Sequence, residues 1–247
     1  MGAPSGPTPT PEVLVKGFVG FLLQVAAFLY LVLQACLMGV ALIPAVLFVR
    51  LFWDTGNPVL IAFGLALGYV LFGFVFLLLV VLLKQLTFFR AREGDYPFLS
   101  AYAIRWVFLG SLMGIAKLLI LRFLLGMPVL NLFYRLMGAR IGRGVVINTC
   151  NMFDFDLLEI GDGTFVGGDA VVIGHVGEGG FLKLRPVRIG RGCTVGQSSV
   201  VFPGAVMEDG SVLGALSLLP KGRTLPGGSV WGGNPLVEIR HEKNPGP

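Results

Sequence analysis

The chain has 247 residues, of which 55% are hydrophobic and only 13% charged, with a formal net charge of +5. Soluble domains carry about 25% charged residues, so an ordinary soluble globule is excluded and a membrane-bound chain is expected. The three cysteines, Cys36, Cys150 and Cys193, form no CxxC pair, which leaves neither a disulfide framework nor a thiolate metal site.

The opening "MGAPSGPTPTPE" is punctuated by Pro and Gly, so residues 1–12 are predicted to be a disordered tail. Residues 13–83 are predicted to be an anchor of two transmembrane helices. The first uncharged run, 17–49, would reach about 50 Å as a helix against a hydrocarbon core of about 30 Å. It must therefore tilt, bend near Pro44 or protrude. A turn follows in "RLFWDTGNP" (50–58), with Trp53 at interfacial depth and Asp54 as its expected cap. The second uncharged run covers 59–83. Its Gly64 and Gly68 form a GxxxG step, read either as a close helix contact or as ordinary membrane glycine.

Lys84, Arg90, Arg92, Arg105, Lys117, Arg122 and Arg135 follow the second run, whereas the turn between the runs has only Arg50, facing Asp54. This bias places the later chain in the cytoplasm, below an inner (cytoplasmic) membrane crossed more than once. Residues 84–138 are expected to be cytoplasmic or interfacial. Lys117 and Arg122 interrupt the third apolar stretch, so 107–126 and 129–137 are read as helices lying on the membrane surface, broken near Pro128. A third span is the alternative, and it would put the rest of the chain outside.

From residue 139 to 240 the pattern changes. Aliphatic side chains recur at Ile189, Val195, Val201, Met207, Leu213, Leu219 and Leu225, ending in Trp231. Four places after each come Cys193, Ser199, Ala205, Ser211, Ser217, Arg223 and Ser229, all small except the arginine. The beat also runs through Ile160, Val166 and Val172, and more loosely from Ile141 and Ile147. Neither a helix nor a plain strand repeats every six residues. Three hexapeptides close a triangular coil, so the fold class is an all-β parallel β-helix of the hexapeptide type behind an α-helical membrane region. At about 4.8 Å per coil, four or five coils give a prism roughly 20–24 Å tall. Residues 241–247 form a closing tail.

One excursion is expected, between Val172 and Ile189, and loops on rigid scaffolds often carry chemistry. His175 borders it. Imidazole suits a general base near neutral pH, so His175 is the catalytic candidate, with a corner histidine as the plainer reading. Its orienting carboxylate is sought among Glu178, Asp154 and Asp156; Asp169 lies about one coil away, and Asp162 reads as a turn residue. His241 sits in a polar tail and is expected to be inert. A zinc site needs more than one such histidine, so no metal is expected. There is no GxSxG elbow for a serine hydrolase, and no basic-aromatic patch for nucleic acid.

The repeat, with its closing "WGGNPLVEIR" (231–240), resembles the left-handed β-helix acyltransferases. The stretches "GDYPFLSAYAIRW", "LNLFYRLMGARIGRGVVINT", "FDFDLLEIGDG", "GHVGEGGFLKLRPVRIG" and "LGALSLLPKG" are similar to the C-terminal modules of ε-poly-lysine synthetase and related non-ribosomal peptide synthetases. That resemblance implies a homotrimer, a histidine general base and an acyl-CoA held along the cleft between prisms. The cofactor-binding positions it suggests are Gly196, Gly214, Ala215, Lys221, Arg223 and Trp231. Lys221 and Arg223 are candidates for the phosphates of coenzyme A, or else members of a solvated turn. The chain departs from the synthetases in having one module and neither an adenylation nor a carrier domain, so a carrier-bound phosphopantetheine thioester from a separate protein is the other donor. Three functions follow: a membrane-anchored acyltransferase, a condensation module making amide bonds, and a non-catalytic trimeric scaffold at the membrane.

Overall fold

The computed structural model describes residues 11–87 and 90–239. Most of the predicted N-terminal tail, and the C-terminal tail with His241, lie outside the described residues. The chain forms two compact units, 1–76 and 77–247, with the boundary inside the second helix.

In the first unit, α1 (Pro11–Trp53) continues through Pro44 as one helix, and α2 (Pro58–Leu86) begins after a short turn. Asn57, not the expected Asp54, caps α2: its side-chain oxygen accepts from the backbone N–H of Val59 at 2.9 Å. An Asx side chain directly ahead of the helix reaches those free N–H groups, and Asp54 stands too far upstream. Gly64 and Gly68 serve a close helix contact. A Cβ at Gly64 would lie 2.8 Å from the Phe52 side chain, and one at Gly68 2.6 Å from Val49.

The second unit begins with the end of α2. Helix α3 (Ala101–Leu119) starts earlier than the sequence reading, because the Ser100 side chain accepts from Ala103 N–H at 3.2 Å and caps it. It stops before Ile120, ahead of the break expected at Pro128; a 3-10 turn (Leu121–Leu124) and then α4 (Pro128–Leu136) follow. One side of α3 buries Ala103, Leu109, Leu112, Met113 and Ala116, while Ile104, Val107 and Leu118 stay exposed. Among the described residues three segments, Phe28–Trp53, Pro58–Leu86 and Ala101–Leu119, are long and apolar enough to cross a membrane.

The rest is the expected parallel β-helix. Its three faces are sheets of six, three and five strands. Val195 pairs with Leu213, Val201 with Leu219, and Met207 with Leu225. In this part equivalent residues of successive coils are 18 apart, as for Arg191 and Asp209, which is why three six-residue beats close one turn. The inward residues Val166, Val172, Val195, Val201, Leu213, Leu219 and Leu225 are fully buried. The small partners Cys193, Ser199, Ala205, Ser211 and Ser217 are buried at the corners, and the exceptional Arg223 is exposed.

Several glycines are required by stacking rather than by backbone angle. A Cβ on Gly161 would sit 2.6 Å from the backbone of Gly190 and Arg191 in the next coil. Backbone cannot retreat there without breaking the ladder. Gly161→Ala is expected to cost about 1–3 kcal/mol, as overpacking does, and thermal unfolding in detergent would show it as a lowered midpoint.

The beat fails at two places, where one was expected. Between Val172 and Val187 the chain leaves the prism as an antiparallel hairpin, His175–Glu178 against Phe181–Leu184. The strand Gly94–Pro97 adds to its other edge. Ala91, Ala103, Leu182 and Leu184, with Tyr96, Tyr102, Trp106 and Leu157, form a small core beneath this sheet. The excursion is thus an ordered three-stranded layer. The second failure is in the first coil, where Arg143 and Asp162 are 19 residues apart instead of 18. The surplus is absorbed at Phe153–Leu157, a left-handed residue followed by a 3-10 turn.

Candidate active site

The two breaks in the repeat meet at one corner of the prism. Asp154 belongs to the first and takes φ of +58°, a left-handed conformation that aspartate tolerates better than most residues. The turn beyond it is fixed by Phe155, which is buried and stacks on Tyr134 with ring centroids 5.1 Å apart. The Asp154 carboxylate is thereby aimed inward, and its side chain is wholly buried.

Three donors converge on this carboxylate. The Trp106 indole N–H of α3 donates to Oδ1 at 2.7 Å. The backbone N–H of Gly174 donates to Oδ2 at 3.0 Å. His175 Nδ1 meets the same Oδ2 at 2.6 Å. A buried carboxylate is costly unless its lone pairs are taken up, and here they are. It draws the imidazole proton onto Nδ1, so Nε2 presents a lone pair. Among the described residues no hydrogen bond occupies Nε2. The ring is held edge-on by Trp106 at 4.6 Å and Phe153 at 5.8 Å between centroids. Its side chain remains 24% exposed. A base with one nitrogen anchored and the other reachable can remove a proton from a hydroxyl or amine.

The other candidate residues are placed differently. Asp156 joins the neighbouring Lys84 of α2 at 2.8 Å and accepts from Ala91 N–H at 2.9 Å. Lys84 also donates to the Met137 carbonyl, so this pair ties helix to loop. Glu178, at the far end of the His175 strand, bonds Lys221 and lies 3.7 Å from Lys183. The Lys221 contact holds its exposed carboxyl below the usual range, so it stays ionised at neutral pH. No hydrogen bond links Glu178 or Asp156 to the imidazole among the described residues.

Gly196, Gly214 and Ala215 stack on another edge of the prism, where a Cβ at Gly196 would lie 2.3 Å from the Ala215 nitrogen. Lys221 shares the His175 corner through Glu178. Arg223 lies over the Trp231 ring, 5.4 Å from its centroid, and the Trp231 indole donates to Ser229 at 2.9 Å. The described residues contain no group of three or more His, Cys, Asp or Glu arranged to hold a metal ion. Sequence reasoning missed Trp106, Phe153 and Lys84 as parts of this corner. The signals were available only in outline: Trp106 ends the "GDYPFLSAYAIRW" stretch, and Lys84 is the first charge after the second apolar run.

Stacked hexapeptide coils with a histidine at an interrupted corner define a hexapeptide-repeat protein, and comparison with known proteins narrows the class. No protein-family model matches the sequence. The chain is 31% identical over 131 residues to the putative colanic acid biosynthesis acetyltransferase WcaF of Escherichia coli (strain K12), covering 43% of this chain and 71% of that protein. It is 30% identical over 182 residues to the delta-poly-L-ornithine synthetase of Acinetobacter baumannii, covering 72% of this chain but only 14% of the synthetase. Among solved structures, a maltose O-acetyltransferase from Clostridium difficile 630 aligns with a TM-score of 0.46 and 16% identity, over 60% of this chain and 92% of that one. The chain belongs to the hexapeptide-repeat, left-handed β-helix acyltransferases.

Proposed function

We propose that this protein transfers an acyl or aminoacyl group from a thioester to a hydroxyl or amine, with His175 as the general base and Asp154 as its orienting partner. The observation that carries this reading is the 2.6 Å contact between His175 Nδ1 and the buried Asp154 carboxylate. Nε2 takes the acceptor proton as the acceptor oxygen or nitrogen attacks the thioester carbonyl. The tetrahedral intermediate collapses with loss of the thiolate, which recovers that proton from the imidazolium. Backbone N–H groups along the prism edge are suited to polarising the carbonyl.

The donor in this reading is acyl-CoA, and Lys221, once released from Glu178, is a cation for its phosphates. A carrier-bound phosphopantetheine thioester is the second donor. It is favoured by the 182-residue match to the synthetase, which is longer than the β-helix and so extends into the helical part. The protein is read as a homotrimer on the inner face of a cytoplasmic membrane, with α3 lying at the interface. The support is the cluster of cations after α2 and the one-sided burial of α3.

Two measurements test this. Calorimetric titration of the detergent-solubilised chain with acetyl-CoA separates the donors: binding supports the first, and absence of binding together with capture of a carrier protein supports the second. Release of free thiol from the donor tests the chemistry. Asp154→Asn is expected to lower turnover about a hundredfold or more, because it disturbs the proton position on the ring. Glu178→Gln is expected to stay within about tenfold, since its exposed pair contributes little. Full activity in Asp154→Asn would remove Asp154 from the mechanism, and no thiol release by the unaltered protein from either donor would leave the scaffold reading in place.

A further inference from the structure

At the end of α2 lies an open recess of about 940 Å³, lined by Lys84, Arg90, Arg92, Arg135 and Arg140 with a single carboxylate, Asp156. That volume falls in the range of small-ligand sites. Asp156 is already neutralised by Lys84. Arg135 is spent on the Ile141 and Gly142 carbonyls, and Arg140 makes a loose 3.6 Å contact with Glu159. Arg90 and Arg92 are exposed, and among the described residues neither side chain has an ion pair or hydrogen bond.

The same helix α2, whose Lys84 and Gln85 line the recess, presents Leu78, Leu82 and Leu86, which are 56%, 45% and 71% exposed. Their spacing of four puts them on one face of the helix. Leu136, also exposed, lines the recess itself. Exposed leucines thus lie on the helix that leads into a pocket where two guanidinium groups, Arg90 and Arg92, are unpaired among the described residues. Arginine forks match phosphate oxygens, and a free phosphate would make no use of the leucine face. We propose that the recess binds the phosphate headgroup of an anionic phospholipid, with its acyl chains on the Leu78–Leu82–Leu86 face. This proposal does not depend on the acyl-transfer reading.

The test is native mass spectrometry of the full chain in detergent, with phosphatidylglycerol or phosphatidylcholine added at equal concentration. Selective retention of phosphatidylglycerol is expected. The double variant Arg90→Gln/Arg92→Gln should retain it about tenfold less or weaker still, given what two basic side chains contribute at an anionic surface. Arg90→Lys/Arg92→Lys should retain an intermediate amount. Equal retention of the two lipids, undiminished retention by the glutamine variant, or full displacement by inorganic phosphate at the same concentration would each overturn the proposal.

Discussion

His175→Ala is expected to lower thioester-dependent acyl transfer by about a hundredfold or more, the usual contribution of a general base. His175→Asn should also be slow, though somewhat less so, and more stable, because its amide can still donate to Asp154. The comparison separates the two roles of the ring. In the alanine variant the buried carboxylate loses one of its three donors and keeps Trp106 and Gly174. An unsatisfied buried acceptor costs about 1–3 kcal/mol, so part of any loss in the alanine variant reflects a loosened loop. In the asparagine variant that part is restored and only the proton acceptor is missing. Activity is read as free thiol released from the donor and stability as the unfolding midpoint in detergent. An alanine variant with undiminished turnover would remove His175 from the mechanism.

Lys84→Met is expected to be the most damaging single change to stability, at about 3–5 kcal/mol. Lys84 is 7% exposed overall, and its partner's side chain is 13% exposed. Removing one member of a buried pair leaves the other as an uncompensated charge. The Met137 carbonyl loses its donor as well. The double variant Lys84→Met/Asp156→Leu should regain most of the loss, since a packed apolar pair often replaces a buried ion pair at little cost. Thermal unfolding of the two variants decides this: a double variant no better than the single one shows that the charge is not the cause. Asp156 is two residues from Asp154, inside the 3-10 turn that Asp154 precedes. Lys84→Met should therefore also slow acyl transfer.

The prism was readable because its period is a property of side chains alone. An inward aliphatic residue and, in most repeats, a small corner residue recur, and the pairing of Val195 with Leu213 and Val201 with Leu219 follows from that beat. The first coil was harder to read. Its extra residue disappears into a left-handed Asp154 and a 3-10 turn, and neither has a periodic signature. The partner of His175 could not be chosen from sequence, because Glu178, Asp154 and Asp156 are all carboxylates within reach of the excursion. What separates them is direction. Asp154 is turned inward 21 residues before the histidine, Asp156 turns toward α2, and Glu178 points to Lys221. Trp106 was out of reach for the same reason, since its indole finds Asp154 only after α3 packs. The glycines of α2 were readable as a helix contact but not as a contact with Phe52 and Val49 of α1.

Strand Gly94–Pro97 is stitched to the hairpin that carries His175, and Trp106 and Lys84 reach the same corner from residues that precede the prism. A soluble fragment cut at the start of the coils would keep every inward aliphatic residue and still lose the indole, the added strand and the ammonium that set the carboxylates. Such a fragment would be a folded pillar with a wandering imidazole. Under the proposed function the helical segment helps to set the site as well as to anchor the chain, and a truncation meant to preserve the His175–Asp154 contact must begin upstream of Lys84.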